Sequence, residues 1–469
     1  MNATGSRHAI PRKGNVRHNG STVVPLDGSQ HARKNYLAGP HMTDRRSFIQ
    51  QSAAVLGGLA LHQSMEAAFP GIPKPSSAIH DTGDDADFWR QIRAAYACSP
   101  TLINLNNGGV SPSPRAAMEA LDHYNRMCNE APSYYMWRIL DQDREPLRMN
   151  LAALAGVPHE EIAICRNATE ALNTIIFGLP LVKGDEVVVS TYDYPNMYNA
   201  WRQRALRDEV KLVYADPQLP SEDETAIVEA FTSKFTAKTK LIHITHVVNW
   251  NGQILPVKKI ADAAHAMGIE VLVDAAHSFA LLDYKIPDLG CDYWGTSLHK
   301  FLCAPFGNGL MWVKKEKIAK VWPLLSNDKP QGEDIRKFET LGTRSFPVEM
   351  ATGYSLDLHN LIGSARKQQR MHFLKNYWME RVKDVPGIFF KTSLDPRYGC
   401  AIGVFGIEGK KATAISEELF AKWKIHTVAI ERESKPGEEA AFNHVRVTPN
   451  VYTTTQELDR LVEAIRAMK

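Results

Sequence analysis

The sequence predicts an α/β protein in which a mostly parallel sheet is covered by helices on both faces. Apolar strand segments alternate with helical segments from about residue 150 to residue 300, and polar residues follow where those strands end. Apolar runs without strict alternation are typical of parallel strands that helices bury on both sides. At 469 residues with 44% hydrophobic content, the chain is long enough for one large core and a second, smaller one.

The hydrophobic periods place the elements in order along the chain. A helix is expected over 86–97, a short strand from Leu102, and a helix from Pro114 to about Met127. The next segments are strands at 162–165, 185–190, 211–214, 239–244 and 269–274 and helices at 168–177, 197–207, 224–234 and 257–267. The aromatic cluster 134–137 fits a substrate cavity, the core or an interface equally well.

The second half of the chain predicts a smaller α+β domain. A long helix over 348–383 is expected to lead into it. Its other elements are strands near 388–391, 401–405, 426–430 and 444–447 and helices at 412–422 and 455–468. We therefore expect a large domain over 111–345 and a small domain over 346–469, with residues 69–110 as an N-terminal arm that belongs partly to the small domain.

The segment before Phe301 places Ser297, His299 and Lys300 at the end of an apolar run, and an upstream apolar strand ends in Asp274. A pyridoxal phosphate (PLP) site needs these groups, because a lysine amine binds the cofactor aldehyde and a carboxylate keeps the pyridine nitrogen protonated. A surface lysine after a strand is the simpler alternative. Ligands of parallel sheets bind at the carboxyl ends of strands, where Asn167, Tyr194, Asn249, Asp274 and Lys300 all fall.

These motifs, Asp274-x-x-His277 and Ser297-x-His299-Lys300, resemble the class V aminotransferase family of PLP fold type I. The family includes cysteine desulfurases and isopenicillin N epimerase-like proteins, and the resemblance covers about residues 100–465. It implies a seven-stranded, mostly parallel sheet in the large domain. It also implies a homodimer with its sites at the interface.

The resemblance implies a role for each matching residue. Lys300, Asp274 and Tyr194 are the expected catalytic residues: the cofactor lysine, the partner of the pyridine nitrogen and the ring that stacks on the cofactor. Arg446 is expected to clamp the substrate α-carboxylate, a task that suits a planar bidentate donor; a surface arginine at a strand edge is the alternative. The other expected cofactor-binding residues are Ala168, Thr169, Ser297 and His299 at the phosphate, Asn249 at the phenolic oxygen, His277, and Thr343 at the phosphate of the neighbouring subunit.

The first 68 residues have a composition of their own. Residues 1–41 contain six basic residues against Asp27, a net charge of +5 that leaves −2 for the rest of a chain of overall charge +3. We interpret them as a disordered leader, native or not, and expect no nucleic-acid partner for the body. Residues 42–68 have the pattern of a twin-arginine signal, with Arg45 and Arg46 before a short apolar run. An amphipathic helix is the alternative.

The leader predicts a location. The apolar run 53–61 is too short to span a bilayer and fits a cleavable signal, so we expect export to the periplasm by the twin-arginine (Tat) machinery and no stable membrane span. Folded export suits a protein that acquires its cofactor in the cytoplasm.

The six cysteines are widely spaced, with no metal-type cluster. We expect scattered free thiols, and the spacing does not decide whether a disulfide forms.

Family and location together predict the reaction. The segment 429–445 lacks the nucleophilic cysteine that desulfurases have before the arginine, and Tyr194 replaces their stacking histidine. A periplasmic class V enzyme resembles the branch that matures the siderophore pyoverdine. That branch implies a siderophore-peptide substrate whose glutamyl group, with its α-amino-acid end free, becomes a succinamide by oxidative decarboxylation with dioxygen. The alternatives are a periplasmic aminotransferase or epimerase on a small amino acid and a non-catalytic peptide-binding protein.

Overall fold

The computed structural model describes Phe69, residues 86–432 and residues 442–469. The predicted leader and the twin-arginine segment lie outside the described residues. Within the described residues, no helix has both the length and the apolar character needed to cross a membrane.

The described chain contains helices and strands in alternation. The strands are β1 (Ile103–Asn104), β2 (Ile162–Cys165), β3 (Glu186–Ser190), β4 (Lys211–Ala215), β5 (Thr239–Thr245), β6 (Glu270–Asp274), β7 (Tyr293–Ser297), β8 (Gly309–Val313), β9 (Ile388–Phe390), β10 (Gly403–Ile407), β11 (Ile425–His426), β12 (Val428–Arg432) and β13 (Phe442–Val447). The α-helices are α1 (Ala86–Ala94), α2 (Arg115–Glu130), α3 (Pro132–Tyr134), α4 (Asp141–Ala155), α5 (Ala168–Gly178), α6 (Pro195–Asp208), α7 (Glu224–Thr232), α8 (Val257–Ala266), α9 (Ile286–Leu289), α10 (Phe346–Ile362), α11 (Ser364–Val382), α12 (Ala412–Trp423) and α13 (Thr455–Ala467). A π-helical segment spans Tyr135–Leu140, and short 3-10 helices span His159–Glu161, Lys315–Lys317 and Ile335–Glu339.

Seven strands form the central sheet in the order β2-β8-β7-β6-β5-β3-β4. Successive side chains of a strand point to opposite faces, and both faces are apolar here. Ile242 and Val271 belong to the core on one face, and Leu241 and Leu272 belong to the core on the other. The expected α/β fold with a mostly parallel sheet is confirmed, because helices cover a sheet whose strands are buried on both sides.

One strand of the sheet was not expected from the sequence. β8 pairs antiparallel with both β2 and β7, so the sheet is mixed. The strand begins at Gly309, where a Cβ atom would come within 2.6 Å of the Asn167 Cα. A glycine is therefore required for the turn before α5 to lie against the sheet, and this turn is part of the site described below.

The small domain contains an antiparallel sheet of order β12-β13-β10-β9, and β1 pairs with β11 in a separate parallel pair. The single long helix expected over 348–383 is wrong. α10 ends at Ile362 and α11 begins at Ser364, because Gly363 between them adopts a positive φ of 84°. Glycine takes up that conformation without a steric penalty. The positive φ at this position interrupts the helical hydrogen bonds.

A buried ion-pair cluster ties the segment after β8 to the sheet. The Glu339 carboxylate accepts hydrogen bonds from Arg148 Nη2 at 2.8 Å and from the backbone N–H of Ile164 at 2.6 Å. Both charged side chains are buried, and Glu339 also pairs with the buried Arg144 at 2.9 Å. Removal of the Glu339 carboxylate therefore takes a counter-charge away from two buried arginines.

We expect Glu339→Ala to lower the free energy of unfolding by about 3–5 kcal/mol, as is typical when one partner of a buried pair is removed. Denaturant unfolding monitored by circular dichroism measures the change. The matched control is Asp262→Ala in the exposed pair Lys258–Asp262, where a loss of about 0–1 kcal/mol is expected. Equal losses in the two variants would contradict the structural role of Glu339.

Candidate active site

A cavity of about 320 Å³ lies at the carboxyl ends of the central strands. The structure brings ten of the eleven predicted site residues together on its wall: Ala168, Thr169, Tyr194, Asn249, Asp274, His277, Ser297, His299, Lys300 and Arg446. Thr343 is exposed and does not line the cavity. Its expected contact with a neighbouring subunit stays a prediction.

Lys300 is half-buried and follows β7 in the loop that closes one side of the cavity. Its Nζ lies 3.3 Å from His277 Nε2 and 5.9 Å from the centre of the Tyr194 ring. Burial lowers the pKa of the Lys300 amine to about 8, a shift that Asp274 opposes and Arg446 reinforces. The amine is therefore partly neutral near neutral pH, and only the neutral form is a nucleophile or a base.

The pKa of Lys300 predicts how its reactivity depends on pH. We expect the rate at which the cofactor-free protein reacts with pyridoxal, trapped at Lys300 by borohydride, to rise with pH around a midpoint of about 8. The sign follows from the neutral amine being the reactive form. Since Asp274 raises this pKa, Asp274→Asn should move the midpoint below that of the unmodified protein.

Peptide mass spectrometry after trapping measures the reaction, and Lys300→Ala is the control for labelling at other lysines. A midpoint near 10.5, the ordinary value for lysine, would contradict the effect of burial.

Asp274 ends β6 and is buried. Its Oδ1 accepts a hydrogen bond from the backbone N–H of Ala276 at 2.9 Å. Burial raises the pKa of the Asp274 carboxyl, and His243, the Ala276 N–H and Lys300 oppose that rise. A buried carboxylate at the end of a central strand is suited to hold a protonated ring nitrogen.

Residues behind Asp274 were not predicted as part of the site. Trp201 Nε1 donates to His243 Nδ1 at 3.3 Å, so the remaining proton of a neutral His243 ring is on Nε2. Thr245 Oγ1 donates to Asp193 Oδ1 at 2.8 Å, and burial raises the pKa of Asp193 to about 7. Asp193 follows β3, and Thr245 is the last residue of the neighbouring strand β5. Ligands bind at the carboxyl ends of parallel strands, so the reasoning that identified Asp274 also applies to these two residues.

The N-terminus of α5 forms an anion-binding wall. The backbone N–H of Ala168 donates to Ser297 Oγ at 2.9 Å, which leaves the serine hydroxyl proton free to donate into the cavity. Asn167 caps the helix by accepting from Glu170 N at 2.9 Å. Backbone N–H groups at a helix N-terminus attract phosphate. Within the described residues His299 Nδ1 is buried without a hydrogen-bond partner, so this nitrogen is available for a hydrogen bond to a ligand.

His277 contacts both the N-terminal segment and the lysine. Its Nε2 lies 2.9 Å from the Gly108 carbonyl oxygen, which can only accept, so Nε2 is the protonated nitrogen. Burial and the nearby Lys300 and Arg446 lower the pKa of His277 well below its ordinary value. The ring is therefore neutral and adds no positive charge beside the Lys300 amine.

Arg446 lies on β13 of the small domain and is buried on the cavity wall. Its Nη1 donates to the Asn249 carbonyl oxygen at 2.9 Å and its Nη2 donates to Asn106 Oδ1 at 3.2 Å. Both acceptors are uncharged, and among the described residues Nε has no hydrogen-bond partner. Burial lowers the pKa of Arg446 to about 10. A buried guanidinium without a compensating carboxylate favours the binding of an anion.

These residues fit PLP. The α5 N-terminus with Ser297 and His299 would hold the phosphate, Asp274 would hold the pyridine nitrogen, and Lys300 would bind the aldehyde carbon. Asn249 Oδ1, buried and without a partner among the described residues, marks a further polar position on the wall. None of these cofactor groups needs Arg446, so its guanidinium is available to bind the substrate.

Cysteine chemistry is not supported at this cavity. All six cysteines lie in the described part of the chain and are free thiols, and none lines the cavity. Cys400 is buried, and burial raises the pKa of its thiol to about 11, which keeps it from acting as a thiolate nucleophile. Across residues 86–432 and 442–469, no cluster of His, Cys, Asp and Glu is arranged to bind a metal ion.

The sequence matches known proteins over most of its length. Residues 103–461 match the family described as Aminotransferase class-V. Isopenicillin N epimerase from Streptomyces clavuligerus is 27% identical over 398 residues, which cover 81% of this chain and 98% of the relative. A probable cysteine desulfurase from Halalkalibacterium halodurans is 30% identical over 327 residues, which cover 66% of this chain and 78% of the relative.

Solved structures show the same fold. A mutant of C-DES with glycine covalently linked to its PLP cofactor superposes with a TM-score of 0.69 at 19% identity, covering 80% of this chain and 98% of that one. A cysteine desulfurase from Escherichia coli superposes with a TM-score of 0.68 at 20% identity, covering 81% of this chain and 98% of that one.

Proposed function

This chain belongs to the class V aminotransferase family and is a PLP-dependent enzyme of fold type I, and from that premise we propose that it acts on a peptide-linked glutamyl group. The group would be joined through its γ-carboxyl, so that its α-amino-acid end is free. We propose conversion of that end to a succinamide by oxidative decarboxylation in the periplasm, the reaction of PvdN in pyoverdine siderophore maturation.

The observation that supports an amino-acid substrate is the Arg446 guanidinium. It is buried on the same wall as Lys300, it is bonded to two uncharged oxygens, and its Nε has no partner among the described residues. A planar cation of this kind binds a carboxylate through two parallel hydrogen bonds. With the cofactor bound at Lys300, the cavity would offer an electrophilic carbon to the α-amino group and a guanidinium to the α-carboxylate, and these two groups recognise an α-amino acid.

PLP, when bound, supplies a sink for the electron pair of the bond that breaks at the substrate α-carbon. Asp274, buried on the cavity wall, would hold the proton on the ring nitrogen that makes this sink effective. Lys300, with a pKa of about 8, can take up or return a proton close to the α-carbon. Tyr194 lines the cavity and would pack its ring against the cofactor, and Arg446 would hold the carboxylate and with it the orientation of the α-carbon.

The proposed reaction balances with dioxygen as the oxidant. The bond between the α-carbon and the carboxylate breaks and releases carbon dioxide, and the α-carbon loses its hydrogen. The α-carbon gains one oxygen atom and becomes the carbonyl carbon of the succinamide, while the amine nitrogen stays attached to it. The second oxygen atom of dioxygen leaves as water. The net change is the loss of about 30 Da from the substrate.

A second candidate is an epimerase or aminotransferase that acts on a small amino acid. The similarity to two isopenicillin N epimerases, at 27% and 26% identity over nearly their whole lengths, favours an epimerase. Cysteine desulfurase activity is not proposed despite the named relatives, because no cysteine of the chain lines the cavity.

Product mass distinguishes the candidates. The holoenzyme is incubated in air with a pyoverdine precursor that carries a γ-linked glutamyl group, with and without an added keto acid. Our proposal expects a loss of about 30 Da that depends on dioxygen, whereas epimerisation leaves the mass unchanged and transamination lowers it by about 1 Da. A product formed without loss of carbon dioxide would overturn the proposed decarboxylation.

Location and assembly are further parts of the proposal. The proposal of a periplasmic location is supported by the pair Arg45 and Arg46. Substitution of both by lysine should retain the enzyme in the cytoplasm, as measured by cell fractionation.

The proposal of a homodimer is supported by the family resemblance and by Thr343, which is exposed and does not line the cavity of its own chain. Sedimentation of the holoenzyme as a monomer would overturn it.

A further inference from the structure

The loop that follows β7 contains a tight turn that begins at Lys300. The backbone N–H of Cys303 donates to the Lys300 carbonyl oxygen at 3.2 Å, and the backbone N–H of Ala304 donates to the Leu298 carbonyl oxygen at 3.0 Å. Cys303 has a positive φ of 60°, a conformation that costs free energy for residues other than glycine. A turn of this kind persists only where contacts from other parts of the chain hold it.

Two helices from a later part of the chain hold this turn through its carbonyl oxygens. Lys367 Nζ, on α11, donates to the carbonyl oxygen of Phe301, the residue next to Lys300. Ser355 Oγ, on α10, donates to the carbonyl oxygen of Cys303 at 3.0 Å. Both bonds therefore restrain the backbone from which the Lys300 side chain projects.

Lys367 is buried although it is a lysine. The residue is 2% exposed, and burial lowers the pKa of its amine below the ordinary value of 10.5. Its Nζ lies 3.4 Å from His359 Nδ1, and among the described residues no carboxylate forms an ion pair with it. Burial of an amine without a counter-charge costs free energy, so packing alone would favour an apolar side chain at this position. The bond to the Phe301 carbonyl oxygen therefore indicates a role other than packing.

The reactivity of the Lys300 amine depends on the same turn. Its Nζ lies 3.3 Å from His277 Nε2, and burial lowers its pKa to about 8. If the turn were released from α10 and α11, water would reach the amine, and water favours the charged form of a lysine. The two bonds therefore help to keep the amine buried and, as a consequence, partly neutral.

We propose that Lys367 is a positioning residue for Lys300, and that Ser355 assists it by holding the same turn. Lys367 does not line the cavity, so it acts on Lys300 through the backbone of the turn. This inference rests on the proposed function in one respect, which is that Lys300 is the lysine that binds the cofactor. It is independent of the bond that the enzyme breaks in its substrate.

The test measures the pH midpoint at which pyridoxal, fixed by borohydride, labels Lys300 in the full-length protein without its cofactor. Lys367→Met keeps a long unbranched side chain and removes the amine. We expect its midpoint to lie about one unit above that of the unmodified protein, because the Lys300 amine becomes more exposed to water. A loss of packing elsewhere in the core would not move this midpoint.

Lys375→Met is the matched control. Lys375 lies further along α11 and is also buried, and its Nζ donates to the backbone carbonyl oxygen of Ser393 at 2.5 Å. The substitution therefore removes the same kind of buried bond without affecting the turn after Lys300. Denaturant unfolding measures the loss of stability in each variant, and the Lys300 midpoint should shift only in Lys367→Met.

Ser355→Ala is a smaller change that decides the outcome if Lys367→Met does not fold. It removes the hydrogen bond to the Cys303 carbonyl oxygen and should raise the Lys300 midpoint in the same direction. An unchanged midpoint in Lys367→Met, or an equal shift in Lys375→Met, would overturn the proposal. If Lys367→Met does not fold, an unchanged midpoint in Ser355→Ala would overturn it. Labelling of a different lysine in the unmodified protein would overturn the role of Lys300 itself, and with it this proposal.

Discussion

Lys300→Ala is expected to lower turnover by at least about 10,000-fold, because the variant lacks both the amine that binds the cofactor and the nearby base. In the structure Nζ lies on the cavity wall at 3.3 Å from His277 Nε2, and none of the other residues that line the wall is a lysine. The purified variant should lack the absorbance of lysine-bound PLP. Borohydride should no longer attach the cofactor to the chain.

The matched control is Lys314→Ala, at an exposed lysine in an ion pair with Glu316, which should retain both colour and activity. Mass spectrometry of tryptic peptides after borohydride treatment locates the cofactor in each protein. A label on any peptide other than the one containing Lys300 would show that this lysine does not bind the cofactor.

Arg446→Ala is expected to weaken substrate binding by about 2–5 kcal/mol, the usual cost of removing one partner of a buried, hydrogen-bonded charge pair. Arg446→Lys should recover only part of this loss, because an ammonium does not form the two parallel hydrogen bonds of a guanidinium. Asp274, Lys300 and the α5 N-terminus are unchanged, so the cofactor should still bind and give its normal spectrum.

The decisive measurement uses a pair of ligands that differ in the α-carboxylate. An α-amino acid should lose affinity in both Arg446 variants, whereas the corresponding amine without the carboxylate should bind each variant as it binds the unmodified enzyme. An equal loss for both ligands would show that Arg446 acts through its bonds to Asn249 and Asn106 and does not clamp the carboxylate.

Location and reaction are connected by the cofactor. If the leader directs the folded enzyme through the twin-arginine machinery, Lys300 binds PLP in the cytoplasm and is used in the periplasm. The cofactor then has to remain bound after export. The anion-binding wall at α5 and the covalent bond at Lys300 are the features that would retain it.

The sequence alone predicted the central sheet and most of the site. Apolar strands with polar residues at their carboxyl ends indicate a parallel sheet, and such ends meet at one edge. For that reason the sequence predicts that Tyr194, Asn249, Asp274 and Lys300 lie together, and the structure does bring them together. The PLP cofactor follows from the same residues, since a lysine and a buried carboxylate are what it needs.

Two features of the fold were not predicted from the local sequence pattern: the direction of β8 and the break between α10 and α11. A short apolar strand such as β8 has no feature that gives its direction, so the antiparallel pairing with β2 and β7 came from the structure. The break between α10 and α11 depends on the positive φ of Gly363, because glycine inside a helical pattern is compatible with a continuous helix at some cost.

Only the tertiary structure showed how Arg446, an expected residue of the site, is held in place on the cavity wall. Arg446 comes from a strand of the small domain and Asn106 from the segment before α2, and their contact at 3.2 Å joins parts of the chain that are 340 residues apart. Local periodicity contains no information on such a contact. The sequence therefore determined the cofactor chemistry, because that chemistry depends on residue types at strand ends. The fold determined the partners of Arg446, which are Asn249 and Asn106, because these contacts depend on how distant parts of the chain pack together.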